Sequence, residues 1–430
     1  MEPTLAGHPP GVLRRGWATW VAMSDPTRRL LSARFWRSIS QGTLVVDLTL
    51  YLRALGWSGA AIGMVLSAGG LVGAGLNLAV GIFSDRLRRK PFLIAYEGVT
   101  CICALVAMSQ SNPFMLAPAI VLAGFGRGAN GAAGPFAPAE QAWLAESVEP
   151  LHRGFVYSLN TALGFVGMAL GAMAAALPSL WRTALGLASG FRPLFGLVLL
   201  GNAVNLVLLA TTPEKHRPVR RRVAPRSLSA GISDSRALEN RFLRHLVGLN
   251  ALNGMAIGLT GPLISYWFAM RFHIGSSFIG PIMAVTFFAT ALAAVITARL
   301  TLRVGLVRSV VWGRTGGLLL LLLMPIMPLY GLAALAYLLR SALNRGTIGA
   351  RQALVVSAVQ DERRGFAVSM NALSMQVPMS LGPIAAGIMI GAGWFITPFY
   401  VAAALQGLYV FLYGRTFASV EQSAIADNEG

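Results

Sequence analysis

Ionisable side chains inside long apolar runs are where this sequence can do chemistry. Of 16 acidic residues, only Asp47 and Glu97 fall well inside such runs. A charge at the centre of a bilayer costs about 2.5–3.5 kcal/mol on insertion scales, so each needs a reason to be there. Asp47 continues a polar stripe with Ser40, Thr43 and Tyr51, at helical offsets of three, four and four. A desolvated carboxylate there can take up and release a proton. The competing reading is an acid near the end of its run, paired with Arg53 or hydrated. Glu97 lies about two helical turns from the end of its run. It reads as structural, reaching the interface or pairing with a loop arginine.

The deep bases outnumber the deep acids. Arg127 lies about 16 Å into its run, and Arg340 and Arg345 about 12 and 20 Å into theirs, at a rise of 1.5 Å per residue. Arg34, Arg37 and Gln41 share one face of the run that begins at Leu31. Arg34, Arg314 and Arg351 stand close enough to run ends to snorkel outward. Arginine holds carboxylates bidentately. Arg37, Gln41, Arg340, Arg345, Asn250 and Asn253 are therefore candidate solute contacts, and Arg127 with Asp47 a candidate proton-exchange pair. Arg127 and Arg345 read equally well as caps on backbone carbonyls or as partners of Asp47.

Other chemistries find little support. The histidines at 8, 152, 216, 245 and 273 lie in loops or at run ends, so no metal cluster or buried base forms from them. There is no GxxxxGK[ST] phosphate loop. Cys101 and Cys103 share one run, which makes neither a disulfide framework nor a zinc spacing. Neither an enzyme nor a bound cofactor or metal is expected.

The elements that hold these residues are apolar helices. The chain has 430 residues, 55% hydrophobic and only 12% charged, against about 25% charged in a soluble domain. The net charge of +19 sits in short loops between apolar runs, which fits membrane topology better than nucleic-acid binding. Twelve runs are long enough to span, at about 31–52, 60–80, 92–109, 116–136, 155–177 and 193–210, then 245–270, 278–298, 310–329, 332–355, 366–390 and 396–413. The division is a lead at 1–30, a six-helix bundle at 31–211, a polar linker at 212–244, a second bundle at 245–415 and a tail at 416–430. Loops and termini on one side carry 24 basic residues and the opposite loops only 4. That bias expects both termini in the cytoplasm, in a multi-pass protein of the cytoplasmic membrane. The lead lacks an apolar segment with a cleavage site, so no removable signal is read in it.

The two halves repeat. RGFVYSLN at Arg153–Asn160 returns as RGFAVSMN at Arg364–Asn371, and the same offset carries Gly171 onto Gly382. Glycines crowd the fourth run (Gly124, Gly126, Gly128, Gly131 and Gly134), and Pro262, Pro281, Pro325 and Pro378 offer kinks in the second half.

Between the second and third runs stands GIFSDRLRRK, Gly81 to Lys90. Gly81, Asp85, Arg86, Arg89 and Lys90 closely resemble the loop 2–3 signature of the major facilitator superfamily, with Arg88 where a glycine is usual. Arg127, Asn130, Gly131 and Ala132 resemble the family's span-4 motif, and Glu149 to Gly154 its entry to span 5. The resemblance covers essentially the whole chain. It implies an all-α membrane protein of twelve helices in two pseudo-symmetric six-helix bundles. It also implies a secondary transporter working by alternating access on a small solute, with no nucleic-acid partner and a monomeric state. Proton-coupled efflux is the first expectation, because Asp47 stands where many family exporters carry an acid. Gly171-Ala172 replaces the exporters' Gly-Pro pair, so uptake of an organic anion by symport or uniport is the alternative. A non-transporting receptor or scaffold of the same fold is the minor one. The resemblance further implies a gate in which Asp85 meets the start of span 11 while Arg86 or Arg89 pairs with Glu140 or Glu146.

Overall fold

A computed structural model describes residues 23–83, 89–126, 137–148, 153–214, 231–357 and 364–429. The elements are all helical. In the first half they are α1 (Asp25–Ala54), α2 (Gly59–Phe83), α3 (Arg89–Ser109), α4 (Pro113–Ala123), α5 (Ala137–Glu146), α6 (Arg153–Ala174), α7 (Pro178–Leu185) and α8 (Arg192–Thr211). In the second they are α9 (Gly231–Thr260), α10 (Ile264–Phe272), α11 (Ser276–Val304), α12 (Leu306–Leu323), α13 (Tyr330–Gly346), α14 (Ile348–Ser357), α15 (Arg364–Gly391) and α16 (Thr397–Glu429).

Among the described residues, 7 helices are long and apolar enough to cross a membrane, or 8 with the bent pair α9–α10. The 30-residue α1 is not among them because of charge, not length: Arg34, Arg37 and Asp47 all lie within it and all are buried. Membrane helices whose polar residues face the bundle interior behave this way.

Three expected spans are broken. α4 starts at Pro113 behind an Asn112 cap that accepts from the Phe114 N–H at 2.9 Å. It ends at Gly124, where φ of 64° places the residue in the left-handed region that glycine tolerates. The seventh span bends by 40° between α9 and α10, where Pro262 has no N–H to continue the ladder. The tenth breaks at Thr347, between α13 and α14, without a proline. Pro281 and Pro378 lie within continuous helices, and Pro325 lies in the 3-10 turn that follows α12. Two boundaries also move. α9 begins at Gly231, well before the expected 245, and α16 continues to Glu429, through the expected tail.

The sequence repeat is realised as a packing repeat. In the first bundle α1 packs on α6 and α8, and α3 on α4 and α8; in the second, α9 packs on α15 and α16, and α12 on α13 and α16. A Cβ on Gly171 would overlap the Ile39 carbonyl oxygen of α1, and one on Gly382 would overlap the Gly258 backbone of α9. Each glycine therefore sets the close approach of the corresponding helix pair.

The bundles join along two seams, α2 with α15 and α6 with α11. On the first, a Cβ on Gly63 would overlap the Pro383 carbonyl oxygen, and Asn77 Nδ2 donates to Gln376 Oε1 at 2.8 Å. A third contact crosses where Ser265 of α10 donates to the Val45 carbonyl of α1 at 3.2 Å. Outward faces are apolar, as in the stripe Met64, Leu71 and Leu78 on α2.

Candidate functional site

The first bundle buries a four-charge cluster. Arg34 and Arg37, three apart on α1, are 6% exposed; Glu97 of α3 is 1% and Glu140 of α5 is 5% exposed. Arg37 donates through Nη2 to Glu140 Oε2, and its Nη1 lies 3.7 Å from Glu97 Oε1. The second Glu97 oxygen accepts from Thr100 Oγ1 at 3.3 Å. Arg34 lies against Gly164 of α6, where a Cβ would come within 2.9 Å of its Nε. Its Nε and Nη1 have no hydrogen-bond partner among the described residues.

A cavity of about 40 Å³ opens beside the cluster, lined by Arg37, Ser40, Gln41, Tyr96, Glu97 and Asn202 and by the broken end of α4 from Ala123 to Gly126. At 10–15 Å³ for each water centre, it holds roughly three waters. Tyr96 donates to the Ala123 carbonyl at 2.9 Å, taking up one acceptor that the break frees. Interrupted helices beside polar cavities are where membrane transporters seat ions and solutes.

Asp47 lies elsewhere, on the seam between bundles. It is 2% exposed and faces Ser276, in the first turn of α11. Its carboxylate makes no ion pair among the described residues. Such a helix start carries partial positive charge from its unsatisfied N–H groups. The expected Arg53 partner is absent from its described contacts.

The second bundle buries three arginines whose described side-chain partners are neutral. Arg314 is 2%, Arg340 7% and Arg351 8% exposed. Arg314 Nη1 donates to Asn253 Oδ1 at 2.9 Å and Arg351 Nη2 to Asn250 Oδ1 at 2.8 Å. Both guanidinium groups lie over the Tyr409 ring, at 5.7 and 5.8 Å from its centroid. Arg340 Nη2 donates to Thr260 Oγ1 at 3.1 Å, beside the bend in the seventh span. Arg345 lies over the Phe287 ring at 5.4 Å.

Several sequence expectations change. Arg37, expected to contact solute, lines the cavity and is held by Glu97 and Glu140, which compensate its buried charge. Glu140, expected at the gate with Arg86 or Arg89, pairs with Arg37, and the Arg86 and Arg89 side chains lie outside the described residues. Glu97, expected to reach the interface or pair with a loop arginine, is buried beside Arg37 of α1. Arg34, Arg314 and Arg351 do not snorkel; all three are buried. Asn250 and Asn253 bond to arginines of α14 and α12. Gln41 does line the cavity, while Glu146 is half-buried at the end of α5. Arg127, Asp85 and Arg86 lie outside the described residues, and Gly81 and Arg89 are placed only as helix positions at the ends of α2 and α3. Lys90 of the same loop caps α8, its Nζ donating to the Ala210 and Thr212 carbonyls at 2.6 and 2.9 Å.

Sequence reasoning missed Asn202 and Tyr96 at the cavity, Tyr409 beneath the two arginines, and Gln406, whose Nε2 donates to the Arg314 carbonyl at 3.2 Å. A signal existed for Asn202, which with Asn205 makes a buried i, i+3 pair in an otherwise apolar helix. Among the described residues, no group of three His, Cys, Asp or Glu side chains is placed to hold a metal.

A family model described as Major Facilitator Superfamily matches residues 30–249 and again 246–427. Among solved structures, the nucleoside transporter NupG superposes with a TM-score of 0.69 at 17% identity, covering 92% of this chain and 99% of that one. A bacterial homologue of the human lysosomal transporter Spinster, inward-facing and unoccupied, gives 0.69 at 14% identity, over 92% and 97% of the two chains. A D-xylose–proton symporter gives 0.67 at 14%, over 92% and 97%. No curated protein sequence matches the chain.

Proposed function

Since the chain belongs to the major facilitator superfamily, we propose that it moves a small solute across the membrane by proton-coupled alternating access. The family supports a secondary transporter of small solutes. The coupling rests on one observation: Asp47 is a buried carboxylate with no ion pair among the described residues, facing Ser276 on the seam where α1 meets the start of α11. Protonation removes its charge from that seam, and a change of charge between two bundles biases how they rock. Arg127 is the proposed companion base.

We take export as the direction, on the position of Asp47 in the first span. Uptake by proton symport or uniport is the second reading, favoured by the arginines of the second bundle. Both termini are proposed to face the cytoplasm, on the charge bias of the loops, and the protein to work as a monomer in the inner membrane. The latch of Asp85, Arg86 and Arg89 with Glu140 or Glu146 is retained as a proposal.

Proteoliposomes carrying a pH-sensitive dye test the coupling. Wild type is expected to show solute-dependent proton movement that an uncoupler abolishes. Asp47→Asn is expected to bind solute while losing that movement. Undiminished coupling in Asp47→Asn would sink the assignment, and absence of any solute flux would favour the scaffold.

A further inference from the structure

The second bundle buries Arg314, Arg340 and Arg351 with no acid paired to them among the described residues; its buried Glu239 lies in the first turns of α9. Between Asn240 and Gln360, and again from Arg363 to Val420, the sequence has no Asp or Glu. The two acids between those stretches, Asp361 and Glu362, lie outside the described residues. Yet Arg314 and Arg351 are more than nine-tenths buried, share the Tyr409 ring and lie within electrostatic reach of each other. Arg340 adds a third charge within reach of Arg314. Their described partners are neutral: Asn253 and Thr347 for Arg314, Asn250 and the Met375 sulfur for Arg351, and Thr260 for Arg340. Such partners satisfy donors but leave the charge, and an unbalanced buried charge costs several kcal/mol per ion. The first bundle differs, since there Glu97 and Glu140 stand against Arg34 and Arg37.

Geometry gathers polar groups around this charge. Arg351 lies on α14, just past the break at Thr347. Its partner Asn250 donates to the side chains of Asn371 and Ser374 on α15, at 2.9 and 3.0 Å. Asn250 is 1% exposed, whereas Asn371 and Ser374 are half-buried. Three helices thus bring together a guanidinium, two amides and a hydroxyl, a donor-rich set suited to an oxyanion. The mutually repelling arginines behind it favour an anion over a neutral solute.

We propose that the transported solute is an organic anion, a carboxylate by class, and that Arg351, Asn250 and Asn371 hold it, with the field of Arg314 and Arg340 behind them. The proposal rests on the reading that the chain carries a solute, but binding needs no proton gradient, so its failure is separable from a failure of coupling at Asp47.

The test uses the full-length protein in detergent, with sodium benzoate, succinate and citrate as probes. Sodium chloride at matched ionic strength and tetraphenylphosphonium chloride are the controls. At least one carboxylate is expected to raise the melting temperature by several degrees beyond sodium chloride. Calorimetry is expected to show its affinity falling at least tenfold in Arg351→Gln and several-fold in Arg351→Lys, which keeps the charge but loses the planar fork. If Arg351→Gln does not fold, the variant Asn371→Ala is read instead, with several-fold weakening expected. No carboxylate effect beyond chloride, stabilisation by the cation alone, or unchanged affinity in the folded variants would each overturn the proposal.

Discussion

Arg37 is the residue on which the interior of the first bundle depends, and its two carboxylates are not equivalent. Glu140 is hydrogen-bonded to it, while Glu97 stands off at 3.7 Å and leans on Thr100. Removing one partner of a buried pair leaves the other charge uncompensated, at a cost of about 3–5 kcal/mol. Arg37→Ala, which strands two acids, is therefore expected to be the least stable single change in the cluster. Glu140→Gln should lower the melting temperature more than Glu97→Gln, measured in the same detergent. Equal effects would show that Arg37 is shared evenly. None of these pairs was legible in sequence, since their members lie on α1, α3 and α5 and only folding makes them neighbours. What was legible was the demand: a charge inside an apolar run needs a partner.

At the scale of elements, helix ends and helix contacts carry the consequences. Lys90 occupies the orphan carbonyls at the end of α8, where a cation also meets the negative end of the helix dipole. Lys90→Ala is expected to cost about 0.3–1 kcal/mol, seen as a small drop in melting temperature and faster amide exchange in the last turn of α8. An unchanged exchange rate there would show that the cap contributes nothing. Gly171 and Gly382 make a sharper pair. Each lets its helix touch a neighbouring backbone, so Gly171→Val and Gly382→Val should destabilise alike, while Gly75→Val, with open space around it, should not. Twelve apolar runs and the internal repeat were readable from periodicity and from RGFVYSLN recurring as RGFAVSMN. The breaks at Gly124 and Thr347 were not, because glycine is common in continuous membrane helices and Thr347 has no helix-breaking chemistry.

For the whole molecule, alternating access requires the seams between bundles to change. The Asn77–Gln376 hydrogen bond crosses the α2–α15 seam, so a covalent link there should arrest transport. Asn77→Cys with Gln376→Cys, in a background with Cys101 and Cys103 replaced by serine, is expected to lose transport on treatment with a short bis-thiol reagent. The single-cysteine variants should keep it. Transport surviving complete cross-linking would mean that this seam stays closed throughout the cycle.

The sequence alone determined the class of machine: an all-helical membrane protein built from two repeats, with charge buried in both. It could do so because hydropathy, loop charge and repeat offsets are properties of the chain read in one dimension. Which charges meet was decided only by tertiary structure. That Arg37 meets acids while the described partners of Arg314 and Arg351 are neutral became visible once α1, α3 and α5 had converged on Arg37 and α9, α12 and α14 on Tyr409 and its asparagines. Electrostatic energy depends on distance in space, and separation along the chain does not encode it.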